Sequence, residues 1–323
     1  MRSWELEVNL QAQIRDLSRR DEDVRARLAG QVGNTPVVRL RRVTSGLPAG
    51  VEVLAKAEWL NPAGSVKDRP ALSILEHAIE TGDLNDGRIL LDSTSGNMGI
   101  AYATHAAALG LPVHLAVPAN AGEAKLGTLR ALGASLTLTD PLEGSDGARE
   151  VAAAMAAKDP GRYYYADQYA NPANWEAHYR STGPEILRQA AGITHLVAGL
   201  GTSGTLMGTG RYLREHAPTV QLVAVQPDRP LHGIEGLKHL ESSPVPPIFD
   251  GNLPDRTLAV ETEAAYEMTR RLAAEEGLLV GISAGAAAVA ALRLGGSLNQ
   301  ASIVVIFPDS GARYLHESFW SQP

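Results

Sequence analysis

The sequence contains no cysteine. Disulfides, thiolate metal sites and cysteine nucleophiles are therefore excluded together. Any nucleophile must come from Ser, Thr, Lys, His or a carboxylate. There is also no apolar run long enough to cross a bilayer. The opening stretch, MRSWELEVNLQAQIRDLSRRDEDVRARL, is charged throughout and lacks the apolar centre of a signal peptide. These absences lead to the expectation of a cytoplasmic protein with no membrane partner. A basic excess is missing too: the net charge of −7 argues against nucleic acid as a partner, because phosphate neutralisation needs a clustered basic surface. The nine His show no HExxH or other close metal spacing, so no metal site is expected. Internal repeats and low-complexity tracts are absent as well.

What is present is a chain of 323 residues with 44% hydrophobic and 20% charged side chains, enough for a substantial core in one large or two medium domains. Short aliphatic runs alternate with longer helical stretches. Strands are expected at Val37–Leu40, Val51–Lys56, Arg88–Leu91, Pro112–Val117, Ser135–Thr139, Tyr163–Tyr165, His195–Ala198, Gln221–Val225 and Ser302–Phe307. Between them Ala71, Ile74, Leu75, Ala78 and Ile79 fall on one helical face. Gly and Pro mark the joints, as in Gly110–Pro112 and His216–Pro218. Such alternation means an α/β protein with largely parallel sheets, and a ligand cleft at the carboxyl ends of the strands. The first thirty residues stand apart as a polar helical arm, with Ser18 or Asp21 as a break.

Four loops combine small and polar residues just after expected strands. In Asn61–Pro70, NPAGSVKDRP, Lys67 lies near a helix start, where the dipole disfavours an added cation. Forming an imine with an aldehyde is one way to lose that charge. Taken alone, an exposed lysine paired with Asp68 is the simpler reading. The second loop, Ser93–Gly99, reads STSGNMG and holds more polar groups than an N-cap needs, which favours an anion cradle. The third, Gly199–Gly208, contains a formal GxGxxG at Gly199, Gly201 and Gly204. The following strand ends in Gln226 and Pro227 where a ribose-binding acid is wanted, and Thr202, Ser203 and Thr205 add hydroxyls, so a phosphate monoester suits it better than a dinucleotide. In the fourth, Gly281–Gly285, Ser283 alone reads as a helix cap.

Together and in this order, the four loops resemble the cysteine synthase family of pyridoxal-phosphate enzymes, nearest to the B-type and O-phosphoserine-using branches. The likeness runs from about Gly33 to Leu315. It implies fold type II: two domains with largely parallel twisted sheets flanked by helices, and the cofactor in the cleft between them. The larger domain would comprise 1–56 and 141–323, with 1–30 as the helical arm, and a smaller mobile domain would span 57–140. By resemblance, Lys67 carries pyridoxal 5'-phosphate as a Schiff base and then acts as the catalytic base. Asn97 bonds the ring hydroxyl, while Gly201, Thr202, Ser203, Gly204 and Thr205 hold the phosphate. Ser283 faces the pyridine nitrogen, leaving it largely neutral and the ring a weaker electron sink. Thr94, Ser95, Asn97 and Gln168 receive the substrate carboxylate. Lys238 occupies the place of a basic residue that points at the leaving group, suiting a phosphate; a surface lysine at a helix end is an equal reading.

The implied reaction is β-replacement on O-phosphoserine or O-acetylserine through an aminoacrylate, making cysteine from sulfide or from a sulfur-carrier protein. Departures from the family pattern are EAK at Glu123–Lys125, Glu235 where Gln is frequent, Met98 where Thr is usual and Asp309 where Ser is common. They bear on the sulfur donor more than on the cofactor. Rivals are synthases with another nucleophile (cystathionine, cyanoalanine or a diaminopropionate precursor), a serine/threonine dehydratase, a regulatory protein that retains the fold, and a dinucleotide oxidoreductase. The resemblance also implies a homodimer.

Overall fold

The computed structural model describes residues 28–321 apart from Asp86 and Ser95. The expected polar arm therefore lies, but for its last three residues, outside the described residues, as does Ser95 of the second loop.

Two separate sheets carry the chain. The larger has six strands in the order β1-β2-β10-β7-β8-β9: β1 Val37–Arg39, β2 Gly50–Ala57, β7 His195–Gly199, β8 Gln221–Pro227, β9 Arg256–Val260 and β10 Gln300–Phe307. All neighbours are parallel except β1, which pairs antiparallel with β2, Val38 opposite Ala55. The smaller is wholly parallel, in the order β5-β4-β3-β6: β3 Ile89–Ser93, β4 Val113–Pro118, β5 Ser135–Thr139 and β6 Tyr163–Tyr165. The strand Arg256–Val260 is not among those expected. It is a parallel edge strand whose Arg256, Thr257 and Ala259 are exposed, so it lacks the continuous apolar run of a strand covered on both faces.

Burial on both faces follows from the side-chain alternation of β10. Ile303, Val305 and Phe307 join one core with the helices α8, Thr262–Glu276, and α9, Ile282–Gly295. Val304 and Ile306 join the opposite core, beneath α6, Thr182–Gln189, and α7, Gly204–His216. The smaller sheet is sandwiched in the same way. On one face lie α1, Asp68–Glu80, α2, Asn97–Leu109, and α3, Glu123–Ala131. On the other lies α4, Gly144–Lys158, whose Ala148 and Ala152 pack on Leu91, Ala116 and Tyr163. Thus α4 covers the second face of this sheet, and β6, which follows it in the chain, is an edge strand of the same sheet. Of the helical face expected on α1, Ala71, Ile74, Leu75 and Ala78 are fully buried, whereas Ile79 is 39% exposed.

Behind the start of α1 lies a closed ionic network. Arg69 donates to both oxygens of Glu58 at 2.7 Å and to both oxygens of Glu185 at 2.8 Å. Lys56 adds bonds to Glu185 at 2.6 Å and to the Thr35 carbonyl at 2.6 Å. Two cations meet two carboxylates, each side chain at most 7% exposed. Burial alone would push the Glu58 carboxyl up, but the Arg69 guanidinium outweighs it and holds it at about 2. This network ties β2, α1 and α6 to one another.

Candidate active site

Each sheet reverses strand order once, and the loops leaving the carboxyl ends there enclose a cleft. In the smaller sheet the reversal lies between β3 and β6, so the loop after Ser93 and the loop around Gln168 come together. In the larger it lies between β7 and β10, which juxtaposes the Gly199–Ser203 loop and the turn at Asp309.

Lys67 is the N-cap residue of α1. Its expected alternative partner, Asp68, points the other way. The Asp68 carboxylate accepts from the backbone N–H of Ala63 at 2.7 Å and of Ser65 at 3.3 Å, with His105 Nε2 3.0 Å away. It shapes the NPAGS loop and leaves Lys67 to the cleft. Burial lowers the Lys67 pKa to about 8, against the opposing pull of the Asp309 carboxylate. An amine so placed exchanges a proton near neutral pH and is a competent nucleophile when neutral.

Across the cleft, Asn97 opens α2 and Thr94 lies three residues before it. The Thr94 hydroxyl accepts from the N–H groups of Gly96 at 3.1 Å and Gly99 at 3.0 Å, so this hydroxyl does the work of a cap. Gln168 donates its amide to the Ser93 carbonyl at 2.8 Å. Beneath both loops Asp92 accepts from the backbone of Ser93 at 2.8 Å and of Gln168 at 3.3 Å. Burial raises its carboxyl to about 7, although those N–H bonds favour the charged form.

The Gly199–Ser203 loop turns β7 into the N-terminus of α7, with Ser203 at φ +69°. A Cβ on Gly201 would stand 2.3 Å from the Gly236 carbonyl, and one on Gly204 would stand 2.0 Å from Asn174 Oδ1, so both positions admit only glycine. Asn174 joins this loop to the carboxylate side by donating to Thr202 Oγ1 at 3.1 Å and to the Gln168 carbonyl at 2.6 Å. Thr205 Oγ1 meets His178 Nε2 at 3.3 Å. Burial, helped by the nearby Arg69, pushes this imidazole down to about 3, so it is neutral. The buried Ser203 hydroxyl has no hydrogen-bond partner among the described residues. An unspent hydroxyl at a helix N-terminus fits an anion such as a phosphate.

Ser283 lies inside the first turn of α9, whose N-cap is Gly281, so it is not the cap and is left to line the deep end of the cleft. Lys67, Thr94, Asn97, Gln168, Gly201, Thr202 and Lys238 line one cleft between the two sheet units. Ser203, Thr205 and Ser283 line its deeper end, and Gly204 begins the helix beside it. At the mouth Lys238 pairs with Asp146 of α4 at 2.7 Å, and Lys125 of α3 pairs with Glu235. Each pair bridges the two sheet units.

Several residues of the site are not expected from the sequence. Asp309, noted there only as a departure, accepts from Asn97 at 2.7 Å and from the Tyr314 hydroxyl at 2.5 Å. Arg313 donates to Asn97 Oδ1 and to the Ala63 carbonyl. A signal for these is present: PDSG follows the strand of Ser302–Phe307 just as the other loops follow theirs. Asn174 and His178 have no such signal, because they reach the loop from a neighbouring helix, α5, Pro172–Arg180.

The family described as pyridoxal-phosphate dependent enzyme matches residues 28–309. A cysteine synthase of Aquifex aeolicus is 51% identical over 296 residues, covering 90% of either chain. Cysteine synthase B of Pseudomonas aeruginosa is 44% identical over 291 residues, covering 89% of this chain and 95% of its own. Among solved structures, the O-acetylserine dependent cystathionine beta-synthase from Helicobacter pylori superposes with a TM-score of 0.85 at 34% identity, over 91% of this chain and 98% of that one.

Proposed function

The chain belongs to the pyridoxal-phosphate dependent enzymes and, within them, to the cysteine synthases; from that premise we propose that it exchanges the leaving group of O-acetylserine or O-phosphoserine for sulfide. Its cofactor is pyridoxal phosphate, and its reaction is β-replacement yielding cysteine. The observation that carries the assignment is the convergence of four helix N-termini, those of α1, α2, α7 and α9, on one lysine of depressed pKa, with a buried unspent hydroxyl at Ser203.

The residues fit the cofactor. Gly201 to Thr205 would hold its phosphate on backbone N–H groups and hydroxyls, Asn97 its ring hydroxyl, Ser283 its ring nitrogen and Lys67 its aldehyde carbon. When bound, the group supplies an electrophilic carbonyl for amines and a ring that takes up electron density from the substrate α-carbon. Lys67, with its pKa near 8, takes up and returns the α-proton. The Ser93–Asn97 loop and Gln168 receive the substrate carboxylate at the helix N-terminus. The unit around the smaller sheet closes on that carboxylate, guided by the ion pairs at the mouth.

The pairing of Lys238 with Asp146 leaves this ammonium already matched by a carboxylate, which favours the donor whose ester is uncharged before acetate departs over a phosphate ester. A cytoplasmic homodimer fed by free sulfide completes the proposal. Among the described residues no helix is long and apolar enough to cross a membrane.

The test supplies holoenzyme with each donor in turn, with sulfide, with homocysteine or with no nucleophile. Cysteine formation fastest from O-acetylserine and sulfide is expected, with Lys238→Ala changing that rate less than about twofold. Pyruvate as the main product even with sulfide present would make it a dehydratase. Cystathionine outpacing cysteine would move it to the activity named for the Helicobacter pylori enzyme.

A further inference from the structure

An asparagine amide is an ambiguous recognition group. Its oxygen only accepts, its nitrogen only donates, and a half-turn of the side chain exchanges them at little steric cost. Asn97 faces the cleft from the first position of α2, and two neighbours remove its ambiguity. Nδ2 donates to Asp309 Oδ2 at 2.7 Å, and Oδ1 accepts from the Arg313 guanidinium. An ionised carboxylate can only accept and a guanidinium can only donate. The reversed amide would set oxygen against oxygen and N–H against N–H.

Both neighbours are themselves fixed. The Tyr314 hydroxyl donates to the same Asp309 oxygen at 2.5 Å. The other Asp309 oxygen lies so near the backbone that a Cβ on Gly281 would stand 2.0 Å from it. Arg313 is anchored through the Ala63 carbonyl, in the loop that leads to Lys67. Asp309 and Arg313 belong to the turn after β10, on the larger-sheet side, whereas Asn97 belongs to the smaller-sheet unit. With one N–H and one oxygen lone pair committed, the only donor Asn97 has left for the cleft is its second N–H.

We propose that Asp309 and Arg313 are positioning residues that lock the Asn97 amide with an N–H donor turned toward the ring oxygen of the cofactor. This rests on the reading of Asn97 as a cofactor-binding residue. It also accounts for the departure at position 309: a serine hydroxyl both donates and accepts, so it would not discriminate between the two amide orientations.

The experiment measures equilibrium binding of pyridoxal phosphate to the cofactor-free enzyme, by fluorescence quenching, and the absorption spectrum of the bound cofactor. The proteins are wild type, Asn97→Ala, Arg313→Ala, Arg313→Lys, Asp309→Ser and the double variant Asn97→Ala/Arg313→Ala. Arg313→Ala should weaken binding about tenfold and shift the absorption maximum, with Arg313→Lys restoring much of both. The double variant should bind no worse than Asn97→Ala alone, because both changes remove one interaction. Additive losses would overturn the proposal, since Arg313 would then act elsewhere. Wild-type binding and spectrum in Asn97→Ala would instead overturn the underlying reading of Asn97. Where circular dichroism shows that Arg313→Ala does not fold, Asp309→Ser takes its place in the same cycle with the same criteria.

Discussion

Lys67 and Arg69 stand two residues apart at the start of one helix and meet opposite electrostatic fates. Arg69 points behind α1 into a dry network where two carboxylates grip it, and its pKa is raised: burial disfavours the cation, and Glu58 and Glu185 more than offset this. Lys67 points into the cleft, where burial lowers its pKa to about 8 and Asp309 offsets this only in part. A guanidinium cannot shed its proton inside a protein, so a buried one must be matched by fixed carboxylates. An ammonium can, so an under-matched one becomes a reactive amine. The charge buried behind the helix ties three elements together, and the one buried in front of it faces the cleft.

The sharpest way to break this contrast is to remove each cation in turn. Lys67→Ala should lower cysteine formation by about 10⁴-fold or more, while the cofactor-free protein keeps its thermal stability. A steady-state assay beside a thermal melt checks both halves, and a destabilised variant would mean that Lys67 belongs to the scaffold. Arg69→Ala should do the reverse, costing about 3–5 kcal/mol in denaturant unfolding because Glu58 and Glu185 are left buried and unmatched. A loss below about 1 kcal/mol would show that the network does not hold α1 in place.

A smaller effect sharpens the comparison from a third buried charge. The Asp92 carboxyl is raised from 3.8 to about 7 by burial. Between those values the folded protein binds more protons than the unfolded chain, so this group's contribution is full below about pH 4 and is lost as pH rises through 7. Asn does not titrate. The melting temperature of Asp92→Asn relative to wild type should therefore climb by a few degrees from pH 5 to pH 8. A difference that stays flat across that range would remove Asp92 from the titrating groups.

Much of the site is legible in the sequence alone, because its parts are short loops bound to strand ends. Lys67, Asn97, the Gly201–Thr205 loop and Ser283 announce themselves through small residues beside polar ones at helix starts. The turn at Asp309–Arg313 carries the same signature, yet in the sequence it stands out only as a departure from a pattern. Its partner, Asn97, lies 212 residues away from Asp309, a separation that no local reading spans. For the same reason Asp68 reads as the neighbour of Lys67, although the loop geometry turns its carboxylate onto the backbone of Ala63 and Ser65. Which sheet β6 joins is not legible locally either. The segments β6 and α4 follow the other strands of the smaller sheet in the chain, and sheet pairing alone decides which unit they complete.

The sequence by itself determined the class of fold, the absence of thiol chemistry and the four loops that line the cleft, because periodicity, composition and turn chemistry are local properties. Tertiary structure decided which of the buried charges are matched and which are left short. That depends on how many carboxylates the folded chain brings within reach of each cation, and on how much water it removes from around them. The resulting difference between Lys67 and Arg69 is a property of their surroundings, since both are basic residues at one helix start.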